Sequence, residues 1–179
     1  MTLSVGSYVG AVNPLRMPVR AQPKEDLPTL AAALKLLAGA RTRKQTMAIV
    51  RQAARQLTGA DGATFILREG EKCYYADEDA VQPLWKGRRF PMEICVSGWA
   101  MTHHCPVAIE DIYTDSRVLW EAYHPTFVKS LAIAPIRRKN PVGAIGIYWA
   151  MRHAATAREM KTLVALADGA AVALTKTGR

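Results

Sequence analysis

Apolar positions recur along this chain with two different periods. Met47, Val50, Ala54 and Leu57 follow one another at three- and four-residue steps, which predicts a helix over Thr42–Thr58. Lys44, Arg51 and Arg55 share its other face and are expected to be solvated. Thr29–Ala38, TLAAALKLLA, is rich in strong helix formers. Gly39 and Gly59 stop these two helices. Near the end of the chain, Thr156 and Glu159 form a capping box. It opens a helix running to about Lys176, with Met160, Leu163, Val164, Ala167, Ala171 and Leu174 as its apolar stripe.

Between the helices the period shortens to two. Ala63–Arg68 and Cys73–Ala76 read as a hairpin turned by Glu69–Lys72. Asp77–Ala80 reads as an acidic loop, and its spacing does not match a calcium-binding EF-hand. Lys86–Met92 and Val107–Ile109 are further strands, with a short helix over Val96–Thr102. Ser130–Ile136 and Val142–Trp149 flank a polar turn and form the central hairpin. Its alternation sets Leu131, Ile133, Ile145, Ile147 and Trp149 on one face. Ala132, Ala134, Ala144, Gly146 and Tyr148 fall on the other. Strands apolar on both faces belong in the middle of a sheet covered on both sides. The terminal helices supply one cover. The long connection over 112–129, with Tyr113, Trp120, Tyr123, His124 and Phe127, supplies the other. The layout is α+β, an antiparallel sheet with terminal helices on one face.

Length and composition narrow the class. The chain has 179 residues, half of them apolar, which suits one ordinary domain. Residues 1–28 hold four prolines and no sustained period, so they read as a flexible arm ahead of a domain over 29–179. No apolar run approaches the length of a membrane span, and the N-terminus does not read as a signal peptide. The expected compartment is the cytoplasm. The net charge of +9 is concentrated in residues 1–55, which carry nine Lys and Arg against two acids. The rest is nearly balanced and lacks basic patches interleaved with aromatics, so no nucleic-acid partner is expected.

Several short motifs, in order, resemble a GAF domain, with a core from about 41 to 176. They are VSGWA at 96–100, PVAIED at 106–111, DSR at 115–117, SLAIAP at 130–135, GAIG at 143–146 and the stripe over 163–173. The phrases CYYADEDA, PLWKGRRFPM, CVSGWAM and PTFVKSLA look like a subgroup found as sensors in bacterial histidine kinases. The resemblance implies a PAS-related fold of about six strands with a small-molecule pocket on one face. It also implies terminal helices that form a homodimer and pass a signal to an output partner such as a histidine kinase. The cyclic-nucleotide and phytochrome attachment patterns are absent, so the ligand is not named and no cofactor is assigned. Within the 179 residues there is no phosphoacceptor or ATP-binding region, so the chain is expected to be a free-standing sensor or a piece of one.

The pocket wall implied by the family is expected to use Trp99, Tyr113, Arg117, Trp120, Tyr123 and Phe127, with the alternative that these aromatics only close the sheet. Adjacent His103 and His104 beside Cys105 are a poor zinc spacing, and no metal site is expected. Cys95 precedes the short helix and is expected to be a buried hydrophobe. Free methionine-(R)-sulfoxide reductases form an enzymatic branch of the family and use cysteines near this point. Their nucleophile aligns with Ser97, whose hydroxyl does not exchange with sulfur, so no catalytic residue and no enzyme activity are expected. The two alternatives are such a thiol-dependent reductase, through Cys95 or Cys105, and a ligand-free dimerisation module.

Overall fold

The computed structural model describes residues 29–177; the arm expected over 1–28 lies outside the described residues. The chain begins with α1 (Leu30–Gly39) and α2 (Arg43–Thr58). The Thr29 hydroxyl accepts from Ala32 N–H, and the Thr42 hydroxyl accepts from Gln45 N–H, both at 3.1 Å. These N-caps satisfy donors that the first helical turn leaves open. Gly59 ends α2 at φ +64°, a left-handed cap. The long terminal helix α5 (Ala157–Thr177) starts at the predicted capping box. There Glu159 N–H donates to the Thr156 hydroxyl at 3.2 Å, and Thr156 N–H donates to the Glu159 carboxylate at 2.6 Å.

Six antiparallel strands lie between: β1 (Gly62–Glu69), β2 (Lys72–Ala80), β3 (Arg89–Pro91), β4 (Val107–Ile109), β5 (Ser130–Ile136) and β6 (Gly143–Trp149). Their spatial order is β3-β2-β1-β6-β5-β4. A 3₁₀ turn (Met92–Ile94) leads into α3 (Val96–Thr102), and α4 (Trp120–Tyr123) is a single turn inside the aromatic connection. Every residue of β5 and β6 is buried. The helices α1, α2 and α5 cover one face around Val50, Phe65, Ile145, Ile147, Leu163 and Leu166. The other face carries α3 and the aromatic connection around Ile66, Trp85, Met101, Leu131, Ile133 and Tyr148.

The central hairpin distributes its bulk differently from the expectation above. Leu131 pairs with Tyr148 and Ile133 with Gly146, while Ala132 pairs with Ile147 and Ala134 with Ile145. Residues directly opposite one another share a face. Leu131, Ile133, Ala144 and Tyr148 therefore face the loops, and Ala132, Ala134, Ile145, Ile147 and Trp149 face the helices. The connection over 137–142 has an even number of residues, so odd positions pair with even ones. The helix face sets large side chains of β6 against alanines of β5, whereas the loop face sets Leu131 against Tyr148 and Ile133 against Gly146.

A second difference concerns the acidic stretch. Asp77–Ala80 is the last part of β2, not a loop. Phe65 pairs with Asp77 but Ile66 with Tyr75, so Ala76 is the extra residue of a bulge. Upstream of it, Cys73 and Tyr75 point into the loop-side core. Downstream, the parity is reversed. Asp77 meets Arg51 and Asp79 meets Arg55, both at 2.6 Å, on the exposed flank of α2. Those two arginines of the predicted solvated face thus fasten α2 to the sheet. Glu78 points the other way and accepts N–H bonds from Leu84, Trp85 and Lys86 at 2.8–3.1 Å.

Burial works against the Asp77 carboxylate, but hydrogen bonds from Lys86 and Arg51 outweigh it and hold the carboxyl below its ordinary range. Such a group stabilises the fold fully above its unfolded pKa, and the contribution is lost as pH falls through the folded value. Asp77→Asn is expected to destabilise the protein by about 1 kcal/mol at neutral pH. In denaturant titrations the gap between variant and wild type should close below about pH 4. A gap that persists in acid would mean that Asp77 acts through packing.

Candidate functional site

The space between the sheet and the aromatic connection is filled from its centre by Trp85. This indole is 2% exposed, and its Nε1–H donates to the Ala122 carbonyl at 3.0 Å. Tyr123, Tyr75 and Tyr148 meet it edge-on, with ring centroids at 4.8, 5.3 and 5.3 Å. The backbone that carries Trp85 is held by Glu78, as described above. Neither Trp85 nor Tyr148 carried a sequence signal for this role. The PLWKG stretch has no strand or helix period, and Tyr148 sat among small residues of the hairpin.

The predicted pocket residues fall into four groups. Tyr123 is buried within the Trp85 cluster, and its hydroxyl has no hydrogen-bond partner among the described residues. Burial pushes its ionisation well above the ordinary phenol range, so it remains a neutral donor. Trp99 and Arg117 meet at the rim, where the guanidinium lies 4.7 Å from the indole centroid and His103 stacks on the same ring at 4.2 Å. Tyr113 and Trp120 form the third group, with centroids 5.3 Å apart. They are 54% and 43% exposed, and the Lys129 ammonium donates to the Tyr113 hydroxyl. Phe127 lies against the loop-side core and over Gly62.

Arg117 does not present a free charge. Its Nε and Nη2 donate to both carboxylate oxygens of Asp115, at 2.8 and 2.5 Å. That bidentate bond holds the Asp115 carboxyl below its ordinary range. Asp111 makes the predicted turn, accepting from Tyr113 N–H at 2.9 Å.

Beneath the aromatic cluster lie two buried polar groups. Thr64 Oγ1 and Tyr148 Oη are 2.9 Å apart, Tyr75 Oη and Ser97 Oγ 3.1 Å, and Ser97 Oγ and Cys95 Sγ 3.4 Å. Tyr148 and Tyr75 both pack against Trp85. Cys73, on β2, belongs to the same core as Cys95, at the N-cap of α3. The neighbouring Cys73 thiol, and after it the Ser97 hydroxyl, lower the Cys95 pKa to about 7 despite burial. The Cys73 thiol is pushed far upward by its neighbour Cys95 and by burial. Sequence reasoning weighed Cys105 as the partner of Cys95; the fold brings Cys73 instead. The period-two step from Cys73 to Tyr75 was the signal available for it.

Gly98, in α3, packs closely against the 3₁₀ turn. A Cβ there would lie 2.0 Å from the Met92 carbonyl oxygen. Gly146 makes room of another kind: a Cβ would lie 2.2 Å from the Tyr148 hydroxyl.

The sequence model of the GAF domain matches residues 40–175. No curated protein sequence matches the chain. Among solved structures, the GAF domain of an Acinetobacter phosphoenolpyruvate-protein phosphotransferase aligns with TM-score 0.72 at 10% identity. That alignment covers 83% of this chain and 92% of the other. A free methionine-R-sulfoxide reductase from Neisseria meningitidis, in complex with its substrate, aligns with TM-score 0.69 at 15% identity, covering 83% and 87%. The GAF-B domain of DevS from Mycobacterium smegmatis aligns with TM-score 0.62 at 19% identity, covering 75% and 94%. At these identities the likeness is one of fold.

Gly98→Ala is expected to cost roughly 3 kcal/mol in denaturant unfolding, because neither the Met92 carbonyl nor the helix can yield without breaking backbone bonds. Gly39→Ala, where a Cβ meets nothing within 4 Å, is the control and should change stability by less than about 1 kcal/mol. Equal effects at the two positions would refute the steric account.

Proposed function

The chain belongs to the GAF domain family, and from that premise we propose that it is a sensory domain. It takes up a small molecule between its sheet and residues 112–127 and reports occupancy through its terminal helices. The observation that carries this reading is the Tyr123 hydroxyl. A buried donor without a partner costs on the order of 1–3 kcal/mol. It lies in the aromatic core beneath a cover made by a connection rather than a long helix. A ligand that offers an acceptor there recovers that cost while stacking on Trp85 and Tyr123.

Trp99, Tyr113, Arg117, Trp120 and Phe127 form the wall and rim of this site in our reading. A planar, partly apolar molecule suits them. Because Asp115 already engages Arg117, an anionic group on the ligand would have to compete for that guanidinium, whereas the Tyr123 donor is unengaged. Entry requires the connection to lift from the sheet. The sheet then couples the two covers, since β5 and β6 touch both, and a ligand that favours the lifted state shifts the population of helix positions.

Other parts of the reading concern the setting. We assign the domain to the cytoplasm; no described helix is long and apolar enough to cross a membrane. We propose a homodimer through α1, α2 and α5, where Leu36 and Val172 are exposed, signalling to an output domain such as a histidine kinase in a two-component system. The reading is non-enzymatic, because Ser97 occupies the position between Val96 and Gly98 where sulfur exchange would need a thiol.

Native mass spectrometry of freshly purified protein should show a retained small molecule. Tyr123→Phe should leave the ligand-free fold as stable or up to about 1 kcal/mol more stable, and should weaken binding of that molecule about tenfold. Trp120→Ala should weaken binding without unfolding the protein. Unchanged affinity in both variants would place the site elsewhere.

For assembly, sedimentation at micromolar concentration should show a dimer. Leu36→Glu combined with Val172→Glu should convert it to a folded monomer. A wild type that is monomeric throughout would remove the helix-mediated dimer from the reading.

A further inference from the structure

A groove of about 580 Å³ lies on the helix side of the sheet, at the end that carries the β1–β2 and β5–β6 turns. It is on the opposite face from the site beneath the aromatic connection. Its floor is aliphatic, with Leu67 of β1, Val142 ahead of β6 and Leu174 of α5. Three arginines line it: Arg43 from the start of α2, Arg68 from β1 and Arg137 from the β5–β6 turn. The Glu69 carboxylate at its edge is already engaged, since both its oxygens accept from Arg89, at 2.7 and 3.2 Å. The groove therefore carries an excess of positive charge over an apolar base.

The arginines are held ready without being used up. Arg68 Nε donates to the Gly70 carbonyl at 3.0 Å, and Arg137 Nε to the Asn140 carbonyl at 2.9 Å. Each guanidinium is thus pinned through one N–H by its own turn. Among the described residues, no acceptor meets the Nη groups of Arg137 or the exposed Arg43 side chain. Arg68 Nη2 meets Glu71 at 3.2 Å, but that acid is 85% exposed, and such a solvated pair yields readily. Cations near a helix C-terminus often bond its last carbonyls. Arg68 and Arg137 instead spend their Nε groups on the turns, so capping α5 does not account for them. Arg137 also sits at φ +67°, a left-handed conformation that long side chains seldom adopt.

We propose that this groove binds a small amphiphilic anion, free in solution, with one carboxylate or phosphate head and an aliphatic body. The head lies among Arg43, Arg68 and Arg137, whose planar forks suit either group. The body covers Leu67, Val142 and Leu174. The charge of the groove calls for the head, and its floor calls for the body. Its concavity and volume suit one small molecule rather than a flat bilayer surface. It has no aromatic lining on which bases could stack, which sets nucleic acid aside. Because Nε bonds already fix two of the three guanidinium groups, binding orders little that is loose. The ligand would bridge α5 to both turns of the sheet. It would be a second input, separate from a molecule beneath the aromatic connection.

The test titrates the whole chain with monomeric decanoate by calorimetry. Decanol, which lacks the charge, and acetate, which lacks the body, are the comparison probes. Decanoate should saturate a single site, bind at least about tenfold tighter than decanol, and weaken as salt rises. Acetate should not saturate over the same range. Amide resonances of Gly70, Val142 and Thr175 should shift with decanoate. Arg43→Gln and Arg137→Gln should each weaken it about five- to tenfold, and Leu174→Glu should abolish it. Arg158→Gln removes a cation from the other end of α5 and should leave the affinity unchanged. Circular dichroism of each variant reports folding, and Arg43, being exposed, keeps the test open if Leu174→Glu unfolds. No saturation by decanoate, or equal affinity for decanol, would overturn the proposal. So would saturable binding that neither arginine change weakens, which would put the decanoate at another site such as the one beneath the aromatic connection. Binding to vesicles of anionic lipid without binding of monomeric decanoate would overturn it in favour of a membrane surface.

Discussion

The constraint on which the rest of the structure depends is that β5 and β6 have no wet face. Every residue of both strands is buried, so the sheet centre is stable only when two separate covers are in place. The register decides what each cover meets. Because the 137–142 connection pairs odd with even positions, Leu131 stands opposite Tyr148 on one side and Ile133 opposite Gly146. On the other side Ile145, Ile147 and Trp149 stand beside Ala132 and Ala134. Neither face is smooth. Each offers a ridge and a furrow, and a helix layer on one side and an aromatic connection on the other fill them to close packing.

The bulge at Ala76 carries this two-sidedness out to β2. A regular strand would have put Cys73, Tyr75, Asp77 and Asp79 on one face, burying two carboxylates among aromatic rings. Burying charge without a partner is prohibitively unfavourable. One extra residue moves the acids to the helix side, where Arg51 and Arg55 stand one helical turn apart to receive them. It leaves the Cys73 thiol and the Tyr75 phenol on the loop side, where the phenol hydrogen-bonds Ser97. Glu78, between the two acids, then faces the loops and gathers the backbone N–H groups that hold Trp85 in the core. A single irregularity thereby orients an ion-pair clamp and an aromatic core.

Much of this was legible in the sequence, and the limits of that legibility are physical. Gly59 and the Thr156–Glu159 box announced helix ends because capping is local chemistry, complete within four residues. The alternation of β5 and β6 announced buried strands, and the family motifs announced the order of elements. The hairpin faces were misread because alternation fixes sides within a strand, while the relation between strands depends on the parity of their connection. The acidic stretch read as a loop because its partners, Arg51 and Arg55, lie 24 to 26 residues away. Of the proposed site, Tyr123 and Arg117 stood out in the sequence as an aromatic and a charge in the connection, and Trp99 as an aromatic of the short helix. Trp85 and Cys73 were not, since what distinguishes them is burial at the meeting of β2, α3 and the connection.

The two covers differ in kind. On the helix side the contacts are mostly aliphatic, and the α2 edge is clamped by ion pairs. On the loop side the core is built from rings whose hydroxyls make two buried polar groups, Thr64–Tyr148 and Tyr75–Ser97–Cys95. In a low-dielectric interior such groups are sensitive to the loss or gain of one charge or one donor. Tyr148 and Tyr75 stand on β6 and β2, strands whose other faces carry the helix layer or its arginine clamp. In the proposed sensory reading, occupancy at the Tyr123 hydroxyl beside Trp85 would act on strands that the helices rest upon. The packed, two-faced sheet would transmit such an event because it has little slack in which to absorb it.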